Sequence, residues 1–124
     1  MKHNPGFEAV VAARSDRVQH LSMEAFIATK ETEKQLIIDV REDHEWLAGH
    51  IPGAIHLGRG IIERDIETQI PDKSMRLVLY CGGGYRSVLA ADMIQEMGYR
   101  DVWSLDGGIK AWRAAGLSEE VPVS

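Results

Sequence analysis

The stretch Leu77-Val78-Leu79-Tyr80-Cys81-Gly82-Gly83-Gly84-Tyr85-Arg86-Ser87 decides how this chain folds. Leu77 to Tyr80 has no polar position, the pattern of a strand covered on both faces within a parallel sheet. The run stops at Cys81 and gives way to three glycines. Beyond them, Ser87 is placed to cap a helix over Val88 to Met97, with Ala90, Met93, Ile94 and Met97 on one face and Gly98 at its C-terminal end. The stretch therefore predicts a buried strand, a glycine turn and a helix N-terminus in succession.

The same alternation continues on both sides. Leu36-Ile37-Ile38-Asp39-Val40 is a second buried strand, followed by a short helix over Glu42 to Ala48 that Gly49 closes. His50-Ile51-Pro52-Gly53 is a turn, Ala54 to Leu57 a short strand and Ile61 to Ile66 a helix. Downstream lie a strand at Val102 to Leu105 and a helix at Gly108 to Ala115. Upstream, Val18 to Leu21 reads as a strand and Ser22 as the N-cap of a helix over Met23 to Thr29. Pro5-Gly6 precedes a first helix over Phe7 to Arg14. The expectation is an α/β fold in three layers, a mainly parallel central sheet of about five strands flanked by helices. Residues 1–17 form a helical extension and residues 18–124 the main domain.

Composition narrows the functional classes. A chain of 124 residues, 44% hydrophobic and 27% charged, suits one ordinary globular core. Fourteen basic against nineteen acidic side chains give a net charge of −5, which argues against nucleic acid as a partner. No apolar run approaches the roughly 20 residues that span a bilayer. Met1 to Gly6 lacks the apolar stretch of a secretory signal, so no membrane partner and a cytoplasmic location are expected. The single cysteine excludes an intrachain disulfide.

Ligand sites of open α/β sheets lie beyond the carboxyl ends of the strands. Here those ends are Asp39-Val40-Arg41, His56 to Arg59, Cys81 to Gly84 and Asp106-Gly107-Gly108, so one sheet edge gathers the thiol, two arginines and both glycine clusters. Gly82, Gly83 and Gly84 allow backbone N–H groups to curl inward as an anion nest, and the following helix N-terminus adds partial positive charge. Arg86 brings a full charge on a fork suited to oxyanions, and Tyr85 is placed to wall the pocket. A thiolate in such a cradle is an activated nucleophile, which assigns that role to Cys81, with Gly82 to Ser87 as its binding loop. As supporting residues, Arg41 is expected to pair with Glu45 one helical turn away and Asp39 to accept loop N–H groups. Trp46, Trp103 and Trp112 read as packing residues.

Other chemistries fail on spacing. His44 to His50 is not H-E-x-x-H because Ala48 stands at the required second histidine, and no second cysteine exists for a zinc site. G-x-G-x-x-G and Walker-A patterns are absent, so neither metal nor organic cofactor is expected.

The loop Cys81 to Ser87 fits C-x-x-G-x-R-S and resembles the active-site loop of the rhodanese sulfurtransferases. Asp39-Val40-Arg41-Glu42, Glu45-Trp46 and Gly49-His50-Ile51-Pro52-Gly53-Ala54 resemble a second signature of that family, and Asp106-Gly107-Gly108-Ile109 with Ala111-Trp112 a third. The resemblance covers about Val18 to Gly116. It implies a rhodanese-like fold and a Cys81 persulfide that takes sulfur from a donor such as thiosulfate and passes it to a thiophilic acceptor, cyanide in an assay or a thiol in the cell. Cysteine phosphatases carry a loop one residue longer, C-x5-R, whereas four residues separate Cys81 from Arg86 here. Some thiosulfate-using members have basic residues just after the cysteine, where this chain has Gly82 and Gly83. Arg59 is therefore the candidate second cation. The alternatives are a relay fed with sulfur by a partner protein, and a non-catalytic module that binds an anion or a partner.

Overall fold

The computed structural model describes residues 3–122. Its five strands are β1 (Gln19–Leu21), β2 (Leu36–Asp39), β3 (Ile55–His56), β4 (Leu77–Tyr80) and β5 (Val102–Leu105). They form one sheet in the order β1-β5-β4-β2-β3, with every neighbouring pair parallel. The helices are α1 (Pro5–Ser15), α2 (Met23–Thr29), α3 (Asp43–Ala48), α4 (Ile62–Gln69), α5 (Arg86–Glu96) and α6 (Gly108–Ala114). The expected α/β class and five-stranded parallel sheet are found.

The unbroken apolar runs are explained by cover on both faces. Leu77, Leu79 and Cys81 join Ile38 and Val40 in a core with Ile62 and Ile66 of α4 and Ala90, Ala91 and Ile94 of α5. Val78 and Tyr80 point the other way, into a second core with Ile37, Phe26, Ile109 and Trp112. Each side of the sheet is thus sealed by its own helices, and β4 supplies both cores by the period-two alternation of a strand.

Local signals hold where the chemistry is local. Ser22 caps α2, its hydroxyl accepting from the Ala25 N–H at 3.1 Å. Helix α5, in contrast, begins at Arg86 with Tyr85 as N-cap, two residues earlier than Ser87 as a cap requires. Ser87 is instead fully buried inside the first turn. Helix α1 packs across α5: Val11 enters the core, and Arg17 clamps Asp92 through Nε at 3.0 Å and Nη2 at 2.8 Å. Gln95 of α5 donates to the Arg17 carbonyl at 2.8 Å, fixing the end of the extension.

Candidate active site

Cys81 is the first residue after β4, and its loop is held by the turn that follows β5. The Ile109 N–H donates to the Cys81 carbonyl at 2.9 Å and the Lys110 N–H to the Gly82 carbonyl at 3.1 Å. The first turn of α6 is therefore spent on fixing the thiol loop rather than on an anion. This close docking requires glycine at position 108. Its φ is +53°, and a Cβ there would stand 2.3 Å from the Cys81 carbonyl oxygen and 2.8 Å from that of Gly82.

The sulfur itself meets a short polar chain. The Gly84 N–H points at Cys81 Sγ at 3.1 Å, made possible by a Gly84 φ of +102°. On the other side, Sγ lies 3.6 Å from Ser87 Oγ, which is hydrogen-bonded at 2.7 Å to Ser104 Oγ of β5. Both hydroxyls are buried, so the thiol can share a two-hydroxyl network shielded from solvent. The misplaced helix start explains this: Ser87 turns inward because it sits within the first turn, not before it.

Arg86 is engaged by a carboxylate. Its Nη1 donates to Glu45 Oε1 at 2.7 Å and its Nη2 to Glu45 Oε2 at 3.1 Å, a bidentate pair. Glu45 Oε1 also accepts the Glu42 N–H at 3.0 Å. The Arg86 hydrogen bonds hold the Glu45 carboxyl down to about 2, and Glu45 in turn raises Arg86. The guanidinium lies over Gly82, where an added Cβ would come within 3.2 Å of Nη2. A small residue after the cysteine thus makes room for the arginine that charges the loop.

The two expected supporting residues form a separate unit. Asp39 is fully buried and accepts the Arg41 N–H at 2.9 Å, Arg41 Nε at 3.1 Å and Arg41 Nη2 at 2.8 Å. The Tyr80 hydroxyl donates to Asp39 Oδ2 at 2.7 Å, and Arg41 Nη2 also reaches the Gly49 carbonyl at 2.7 Å. Burial, with Asp39 beside it, pushes the Tyr80 phenol upward, so it remains a donor. Arg41 therefore pairs with Asp39 and not with Glu45. Helix α3 starts only at Asp43, so the one-turn spacing from Arg41 to Glu45 never applies. Asp39 does take a loop N–H, that of Arg41.

A cavity of about 400 Å3 opens over the thiol, lined by His3, Phe7, Glu45, Cys81, Gly82, Gly83, Tyr85, Arg86 and Lys110. Of the loop that the sequence marks, Cys81, Gly82, Gly83, Tyr85 and Arg86 line this cavity, and Gly84 and Ser87 do not. Arg59 does not: it is exposed and outside the cavity lining, and the cation that joins Arg86 there is Lys110. The sequence did not single out Lys110, His3 or Phe7, and it marked Glu45 only as a partner for Arg41. Trp46 packs flat on His50, ring centres 3.7 Å apart, and Trp112 lies in the second core against Phe26.

Comparison with known proteins agrees with this geometry. The rhodanese-like domain model matches residues 22–115. A thiosulfate sulfurtransferase GlpE of Pseudoalteromonas translucida is 34% identical over 103 residues, spanning 83% of this chain and 95% of that protein. A tRNA uridine(34) hydroxylase of Chlamydia trachomatis is 32% identical over 76% of this chain, which spans only 31% of the larger protein. Among solved structures, a Rhodopseudomonas palustris protein of unknown function, described as a possible tyrosine phosphatase, superposes with a TM-score of 0.83 at 32% identity, covering 97% of this chain and 98% of that one. With the matched model spanning all five strand-end loops, this chain belongs to the rhodanese-like family.

Proposed function

We propose that the chain is a sulfurtransferase that carries a sulfane sulfur on Cys81. The Cys81 thiolate attacks the outer sulfur of thiosulfate, the donor S–S bond breaks, and sulfite leaves with the electron pair. A nucleophilic acceptor, cyanide in an assay or a thiol in a reducing cytoplasm, then attacks the terminal sulfur and Cys81 departs as thiolate. The carrying observation is the placement of the lone thiol at the cavity, with the Gly84 N–H 3.1 Å from Sγ and Arg86 and Lys110 beside it. That N–H and the two cations favour the anionic states the cycle passes through. The name borne by the Pseudoalteromonas relative supports the same reaction.

The description of the Rhodopseudomonas protein raises a phosphatase reading. Against it stands the four-residue span from Cys81 to Arg86, one residue shorter than the C-x5-R loop of the cysteine phosphatases. Incubation with thiosulfate followed by intact-mass measurement tests the proposal. Wild type should gain one sulfur atom and Cys81→Ser none. Hydrolysis of p-nitrophenyl phosphate by a wild type that gains no sulfur would reverse the assignment.

A further inference from the structure

We infer that helix α1 completes the Cys81 cavity and selects as sulfur acceptor a small organic thiol with an aromatic or bulky apolar body. This rests on the sulfur-transfer reading above. Three rings line the cavity. The His3 ring is 4.4 Å from that of Tyr85 and 5.2 Å from that of Phe7, and Phe7 and Tyr85 are 5.9 Å apart. Two of the three come from the segment before residue 22, outside the part that matches the family model.

The segment is anchored independently of any ligand. Val11 is buried in the core, Phe7 packs against that core, and Arg17 and Arg14 both reach Asp92, at 2.8 Å and 3.5 Å. Phe7 is thus presented by a docked helix, with His3 just before its start and Tyr85 at the start of α5. Thiosulfate and cyanide have no apolar surface for such a cluster to cover, and the loop backbone with Arg86 and Lys110 already meets their charge. A ring or alkyl body on the acceptor would bury apolar area against His3, Phe7 and Tyr85, the type of contact that orients small molecules in pockets of this size. The transfer step is balanced: the acceptor thiolate attacks the outer persulfide sulfur, the S–S bond to Cys81 breaks, and Cys81 is released as thiolate while the acceptor leaves as an organic persulfide.

The test compares labelling of Cys81 by benzyl and methyl methanethiosulfonate, followed by intact mass, in wild type, Phe7→Ala and His3→Ala. A benzyl-to-methyl rate ratio that falls roughly three- to tenfold in the variants is expected from the loss of one aromatic contact. His3 does not enter the core, so its variant separates the cavity wall from folding. A ratio unchanged in both variants overturns the inference, as does an equal fall of both rates. In a second arm, thiosulfate is the donor and kcat/KM is compared for benzyl mercaptan and 2-mercaptoethanol; the first should fall relative to the second. Labelling needs no turnover, so a wild type that prefers the benzyl reagent yet takes no sulfur from thiosulfate overturns the transfer reading, and with it the acceptor role. An unchanged labelling ratio in a protein that does take sulfur overturns the wall alone.

Discussion

Two arginine–carboxylate pairs stand at the same edge of the sheet, and they are built for different ends. Asp39 ends β2, Arg41 stands two residues on, and both are sealed, with side chains 0% and 3% exposed. Glu45 and Arg86 join α3 to the start of α5 and remain open to the cavity, 26% and 31% exposed. The sealed pair is bonded to protein on several sides: the Arg41 N–H and the Tyr80 hydroxyl donate to Asp39, and Arg41 Nη2 donates to the Gly49 carbonyl. It cannot exchange partners without leaving a charge buried, so it fixes the path of the chain into α3. The open pair keeps a guanidinium near the thiol in a defined orientation, yet within reach of solvent and substrate. Exposure, rather than ion-pair geometry, separates scaffold from chemistry.

The comparison can be broken most severely at the sealed pair. Arg41→Ala leaves Asp39 as an uncompensated buried carboxylate and should destabilise the fold by about 3–5 kcal/mol. Denaturant unfolding would show this, and a loss below 1 kcal/mol would mean the site is wetter than its burial indicates. Next comes Arg86→Ala, expected to cost no more than about 1 kcal/mol of stability, as for a partly exposed ion pair, while slowing persulfide formation by roughly a hundredfold. A matched loss of stability and rate would erase the distinction between the two pairs. Arg86→Lys sharpens it further: lysine keeps the charge but not the two-pronged contact with Glu45, so only part of the rate should return.

The smallest effect concerns acid. Glu45 is held at about 2, below its ordinary value near 4.5. A depressed carboxylate stabilises the fold fully above its unfolded value and loses that contribution as pH falls through the folded one. Wild type should therefore lose its advantage over Glu45→Gln between about pH 4.5 and pH 2. Thermal melts of both proteins across that window measure it, and a constant difference would show that Arg86 does not depress this carboxyl.

How much of this was legible in the sequence depends on the range of each interaction. The apolar runs of β2 and β4, the Ser22 cap and the glycine loop after Cys81 are local patterns, and the structure bears them out. The Glu45–Arg86 pair joins residues 41 positions apart, and no local spacing encodes it. The local alternative, Arg41 with Glu45, failed because Arg41 stands in a bend before the helix begins. Lys110 was passed over because an exposed lysine in the first turn of α6 carries no special pattern. It reaches the cavity only because Gly108 lets that turn press on the thiol loop. The aromatic contribution of α1 was invisible for the same reason: Phe7 and Tyr85 meet through tertiary packing alone.

The strand order carries a consequence for how the molecule comes into being. Among the described residues β1 lies at the sheet edge and pairs with β5 alone, with Gln19 opposite Trp103. Emerging from the ribosome, the first strand must wait for more than eighty residues to be made before it has anything to pair with. Helix α1 waits likewise for α5. The parts of the cavity's wall that α1 and α6 contribute, far apart in the sequence, therefore assemble together. The Cys81 thiol acquires its surroundings only when α1, α5 and α6 have all been made.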